Sequence, residues 1–487
     1  MTSIKIGISG KRFIPKEDRV KINAHIRTRI KAILKKHHVS SFTGYSAIAS
    51  GADTLFAEVV KKELGQPLQI ILPFAIEEYK KDFKDHELTD FENLVSENGH
   101  YETAMAIPPV DDETRNKGYF AAGKQIVDVC DDMVIVWDGL KPGGPSGTAE
   151  MLGYLSEKRG HEDISFIKVR PAAADRLHEM IMRKYEKANT QAIKARNKYK
   201  GIWKWAIILG WMTVICFASK IAFHLEGITA LVLTSLELLF VVVAALRIRH
   251  AKKQKYHWNY LHERMKAETY RLFSSFYHAD VEIIVSGQSR EDGSSLASVA
   301  EKINEGLRPM EKKSKWYTQY VIKSLIRDQC GYHEGKVGSI GDKHRLYEGI
   351  KTFIVGFFIA NLTVHLIHMI LRNPSLGNLF PTKTDISESP LYQISTFFNI
   401  LLPATYAALE GFIYFSEWVT LKKHSASAVD SLREAEGLLP RDIEHSGFEE
   451  CHKKQAEVLH LISSIMLTDN RNWSLLLENK DNYHLIV

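Results

Sequence analysis

Cysteine is scarce in this chain, with four residues in 487 (Cys130, Cys216, Cys330 and Cys451), all far apart. No C-x-x-C pair or zinc spacing occurs, which argues against a disulfide framework and a sequence-evident zinc site. All four are expected to be reduced thiols, buried or facing lipid. The phosphate-binding G-x-x-x-x-G-K-[ST] is also absent, and no G-x-G-x-x-G follows a strand, so neither a P-loop nor a dinucleotide fingerprint is present. There is no low-complexity tract and no clear repeat. The opening segment, Met1 to Arg12, reads as a strand and a glycine turn rather than a charged and then apolar leader. The N-terminal domain is therefore expected to stay in the cytoplasm.

The composition looks soluble, with 25% charged residues and a mean hydropathy of −0.18. That average conceals segregation, because the apolar residues cluster in the second half. A net charge of +6 and a pI near 8.8 would suit nucleic acid. The basic residues instead flank apolar segments, as cytoplasmic membrane flanks do, so no nucleic-acid polymer is expected as a partner. At this length the chain should form two or more domains.

Four segments have the length and apolarity of membrane spans. Trp205–Leu225 comes first, with Lys220 expected to snorkel toward the headgroups. Gly227–Leu246 follows after a short loop near His224–Glu226, and its only charge is Glu237. Thr352–Leu371 carries no formal charge. Leu391–Leu409 is uncharged until Glu410, and Pro403 is expected to kink it. Glu237 lies mid-span, where it would face either a pore or a neighbouring helix. His365 and His368, one turn apart, read as outer-end residues rather than metal ligands.

Basic residues precede the first span (Arg183 to Lys204), follow the second (Arg247 to Lys255) and follow the fourth (Lys422, Lys423). The loop between the third and fourth balances Arg372 and Lys383 against Asp385 and Glu388. The positive-inside rule then places both termini and residues 247–351 in the cytoplasm.

Residues 1–172 alternate short apolar runs with helical stretches. Strands are expected at Ile4–Ile8, Val39–Thr43, Leu68–Leu72, Met133–Trp137 and Ser165–Val169. Helices are expected near Lys16–His38, Gly51–Gly65, Glu77–Glu97, Lys117–Cys130 and Thr148–Lys158. This alternation predicts an α/β Rossmannoid domain with a parallel sheet, whose ligands sit at the carboxyl ends of the strands.

Three glycine-bearing turns are expected at those ends. They are Gly7–Arg12, then Thr43-Gly44 with Ala49–Asp53, then Pro142–Glu150. Glycine admits close backbone approach, and the amides of a helix start favour anions. Lys11 and Arg12 add charge. The candidate ligand-binding residues are Gly10, Lys11, Arg12, Gly51, Asp53, Asp138, Gly144, Gly147, Thr148 and Glu150, with Arg115, Tyr119 and Lys124 as further residues able to face the pocket. For Glu150, Asp53 and Asp138 a purely local role at a helix start or turn competes with ligand contact.

Together, Ser50-Gly51-Ala52-Asp53, the run Asp131–Gly139 and the Gly-Gly…Gly-Thr turn resemble the SLOG superfamily, which includes the LOG cytokinin-activating enzymes and DprA-like domains. The resemblance covers about the first third of the chain and implies a pocket for nucleotides or nucleotide-derived ligands. LOG enzymes carry PGGxGTxxE; here Gly147-Thr148 arrives one residue late and only Ala149 precedes Glu150. The departure implies a sensor rather than a hydrolase, so no catalytic residue is assigned. The alternative is a membrane-tethered nucleotide phosphoribohydrolase using Glu150.

The hairpins, each followed by cytoplasmic helices, and the aromatic, Arg- and Ala-Glu-bearing stretch Tyr256–Phe276 resemble the SLATT family of bacterial conflict systems. That likeness implies an oligomeric inner-membrane effector of antiviral defence. The expected signal is a cyclic nucleotide or an NAD-derived molecule, with no resident cofactor or metal. The expected division is 1–172 for the sensor, 173–349 for the first hairpin (about 205–246) with cytoplasmic helices, and 350–487 for the second hairpin (about 352–371 and 391–416) with C-terminal cytoplasmic helices.

Overall fold

A computed structural model describes residues 3–140, 146–160, 164–169, 176–284, 293–372, 390–416 and 418–482. The N-terminal part is a six-stranded, fully parallel sheet in the order β4-β3-β2-β1-β5-β6. Its strands are β1 (Ile4–Gly10), β2 (Phe42–Ser46), β3 (Leu68–Leu72), β4 (Tyr101–Thr103), β5 (Asp132–Trp137) and β6 (Ile164–Lys168). Between them run α1 (Lys16–Lys36), α2 (Ala52–Glu58), α3 (Ile76–Tyr79), α4 (His86–Asn98), α5 (Asp112–Val129) and α6 (Thr148–Arg159).

Each face of the sheet carries its own core. Helix α1 sets Ile22, Ile26, Ile30 and Ile33 on one stripe, and with α2 and α4 it buries Ile6, Ile8, Ile70 and Val134. The other face packs Ala122 and Ile126 of α5 and Leu152 and Leu155 of α6 against Met133 and Ile135. β5 is covered on both sides, which is why Met133 to Val136 is an unbroken apolar run.

Several expected boundaries move, each for a physical reason. β2 starts at Phe42 and contains Gly44, which therefore is not a turn. A Cβ there would lie 3.0 Å from Val60, so the glycine lets α2's continuation close onto the strand. The stretch expected as one helix over Glu77–Glu97 breaks between Lys80 and Asp85, and Asp85 takes a positive φ of 46°. The break lets Tyr79, Phe83 and Phe91 form an aromatic cluster, with Tyr79 and Phe91 5.6 Å apart. α5 begins five residues before Lys117, because Asp111 and Thr114 form a reciprocal capping box. β4 was not expected; its three residues are exposed and show no apolar pattern.

The chain divides into two compact units that do not follow sequence order. The first comprises Met1–Arg183, Tyr270–Asp328 and Arg433–Ser464. It adds helical segments to the sheet, drawn from α7 (Arg176–Ala222), α9 (Tyr256–Ala279), α10 (Gly293–Glu305), α11 (Lys315–Arg372), α13 (Trp418–Gly437) and α14 (Phe448–Asn482). α6 is buried on every side over Met151–Ser156, because α11 covers the face turned away from the sheet. Gly153 is required there, since a Cβ would overlap the carbonyl of Trp316.

The second unit comprises Lys184–Thr269, Gln329–Leu432 and Ile465–Val487. It holds the apolar stretches of the helices that, among the described residues, are long and apolar enough to cross a membrane: α7, α8 (Gly227–Lys253), α11 and α12 (Pro390–Ser416). None of the apolar window of α8 is buried within the protein, and Ile228, Leu231 and Leu238 stand exposed. Such continuous apolar surface is suited to lipid.

Two lysines of this unit are paired with acids on neighbouring helices. Lys220 does not reach outward; its Nζ lies 3.1 Å from Glu237 Oε1 and donates to Thr234 Oγ1 at 2.9 Å. Pairing cancels two charges that an apolar surround would penalise separately. α11 and α12 repeat the device, with Lys351 Nζ 2.6 Å from Glu410 Oε1. Asn361 donates to Asn399 Oδ1 at 2.7 Å, and Trp211 Nε1 donates to Thr405 Oγ1 at 3.0 Å. His365 stacks on Tyr392 at 4.8 Å. α12 continues as helix through Pro403. The loop bearing Lys383, Asp385 and Glu388 lies outside the described residues.

Candidate functional site

The sheet grows in opposite directions from β1, through β2 on one side and β5 on the other, so a crevice opens where these two strands end. A cavity of about 310 Å³ occupies it. The floor is made by Ile8–Arg12 leaving β1 and by Trp137 and Leu140 leaving β5. The amide of Lys11 donates to Val136 O at 3.0 Å, and Lys11 O accepts from Ala52 N at 3.0 Å. The end of β1 is thus tied to the start of α2. Gly51 makes that tie possible, with φ +88° and the space of its missing Cβ filled by the carbonyls of Lys11 and Arg12.

Gly147 is the N-cap residue of α6, and Gly147, Thr148 and Ala149 line the cavity. The N-cap residue is a glycine and brings no capping side chain, and the first amides of a helix lack the usual i−4 acceptor. The cavity wall there is therefore a set of N–H donors at the positive end of a helix dipole, suited to an anion. α5 supplies the opposite wall through Asn116, Tyr119, Ala122 and Gly123.

The cations at the rim have partners of their own. Lys11 Nζ lies 2.9 Å from Asp138 Oδ2. Arg12 is half exposed, sits over the ring of Tyr119 at 5.1 Å, and is 3.8 Å from Asp82. Asp82 is engaged more closely by Arg115, at 2.7 Å, and by the hydroxyl of Tyr119. Arg12 is thus the more loosely held of these cations. Asp53 lies in the wall, and burial pushes its carboxyl up to about 7 against the opposing pull of the Ala49 amide and Arg12. Burial likewise raises Tyr79 and Tyr119.

Of the residues picked from sequence, Gly10, Lys11, Arg12, Asp53, Gly147 and Thr148 line the cavity. Gly51 shapes it from behind. Asp138 serves it through Lys11 and also accepts from the Leu140 amide at 3.1 Å. Glu150 turns back to accept from the Ser146 amide, and burial raises its carboxyl. Gly144 lies outside the described residues. Arg115 stands behind Tyr119, while Lys124 pairs with Glu444 instead.

Ser9 and Trp137 also line it, within stretches named from sequence but not singled out there, while Tyr79 and Asn116 are wall residues that sequence reasoning missed. The period of Asn116, Tyr119 and Gly123 on α5 was the available signal, obscured by starting that helix at Lys117. Among the described residues, no three His, Cys, Asp or Glu side chains gather as a metal set.

No protein-family model matches the chain, and no curated protein matches it.

Proposed function

We propose that the N-terminal sheet is a sensor for a nucleotide-derived anion and that the four apolar helices are its membrane output. The observation that carries this reading is the glycine-led start of α6, which lines one cavity with Lys11 and Arg12 at the strand-order switch. Helix amides and paired cations suit phosphate oxygens, and the apolar wall around Ile8, Ala122 and Met151 suits a base or ribose. The likeness of the glycine turns to SLOG domains supports the same ligand class. The SLATT-like plan of the hairpins supports an inner-membrane effector with cytoplasmic termini that oligomerises and permeabilises the bilayer in antiviral defence.

A hydrolase reading gains nothing from the geometry, because Glu150 is spent on the Ser146 amide rather than turned into the cavity. The test is thermal shift of the detergent-purified chain with AMP, ADP-ribose, NAD and cyclic di-AMP. At least one is expected to stabilise the protein, with the shift reduced in Arg12→Ala and retained in Glu150→Gln. Release of free base from AMP that stops in Glu150→Gln would favour the hydrolase.

A further inference from the structure

Two walls of the cavity, α6 and Trp137, are both fastened to the same short stretch of α11. Trp137 meets Tyr317 and Tyr320 edge-on, each at 5.8 Å. Along α6, Gly153 admits the Trp316 backbone, and Tyr154 meets the Trp316 ring edge-on at 5.1 Å. One turn further, Glu157 Oε2 accepts from Gln319 Nε2 at 2.9 Å and from Lys323 Nζ at 2.7 Å. From the far side Gln455 donates to Lys315 O at 2.7 Å, and Thr318 donates to Ala279 O at 3.0 Å. These groups are largely buried, so α11 cannot slip on α6 without breaking several contacts at once.

We infer that Lys315–Lys323 is the receiver of the pocket's state: a shift of α6 or Trp137 on ligand binding is passed to the start of α11. The inference rests on the cavity being a ligand site. The same helix later contains the third apolar stretch, Thr352–Leu371. Placing the receiver on that helix gives an output segment a covalent link to the sensor without any added domain.

Hydrogen–deuterium exchange of the full chain in lipid nanodiscs tests this without a ligand, so its failure is separable from failure of the nucleotide reading. In Trp137→Leu, the amides of Tyr317–Lys323 are expected to exchange roughly three- to tenfold faster, as for loss of an edge-to-face aromatic contact. In Lys323→Ala, a milder change at a part-exposed side chain, the amides of Met151–Leu155 are expected to exchange faster. Unchanged exchange at Tyr317–Lys323 in a folded Trp137→Leu protein would overturn the inference. If that variant does not fold, unchanged exchange at Met151–Leu155 in Lys323→Ala overturns it instead. Equal acceleration across the whole sheet overturns it as well, since that is general loosening.

Discussion

At the neck between β1 and α2, Gly51 holds a backbone conformation closed to side-chain-bearing residues, and two carbonyls fill the space a Cβ would take. Gly51→Ala is expected to cost at least about 2 kcal/mol through strain and overpacking, read as a lower thermal midpoint in detergent. An unchanged midpoint would contradict the close approach described. Asp53 makes a different prediction. Burial pushes its carboxyl up to about 7 in the folded chain, above the ordinary aspartate value of 3.8. Between those values the folded state keeps a proton that the unfolded state has released. The contribution of Asp53 therefore falls as pH rises through the window and levels off above about pH 7. Asp53→Asn should be more stable than the parent at pH 8, with the difference vanishing near pH 4. Parallel midpoint-against-pH curves would refute this. At this scale the sequence was readable where a residue type has few uses, as with Lys11 and Arg12 after a strand. It was opaque for Tyr79 and Asn116, which reach the cavity only through a broken helix and an early cap.

Individual elements were legible in proportion to their periodicity. β3 and α6 lie where their patterns put them, and the four apolar helices follow from length and hydropathy alone. β2 lies later in the chain than its pattern suggests, because Gly44 reads as a turn; nothing local distinguishes a turn glycine from one that admits a helix closely. The snorkelling expected of Lys220 failed for an instructive reason. An acid on the neighbouring helix neutralises the lysine more effectively than a distant headgroup. In Lys220→Met, Glu237 would be left unpaired at a cost of roughly 3 kcal/mol in an apolar surround. Adding Glu237→Gln should recover most of the loss, measured as thermal stability in a double-mutant cycle. Simple additivity of the two losses would show that the pair does not couple.

For the whole molecule, sequence order and spatial grouping part company. Residues 270–328 and 433–464 join the sheet's compact unit although apolar helices precede each of them in the chain. Nothing in the hydropathy pattern announces this, because it depends on long-range contacts such as Gln455 to Lys315. The four apolar helices predict that the protein remains in the pellet after carbonate extraction and is released only by detergent. Release by carbonate would remove the membrane reading. The central claim joins that membrane part to a nucleotide sensor, and leakage measures both together. Full-length protein reconstituted into dye-filled liposomes is expected to release dye when a stabilising nucleotide is added, and Arg12→Ala protein to stay tight at the same concentration. Nucleotide binding without any dye or ion leak, at protein densities that permit assembly, would contradict it.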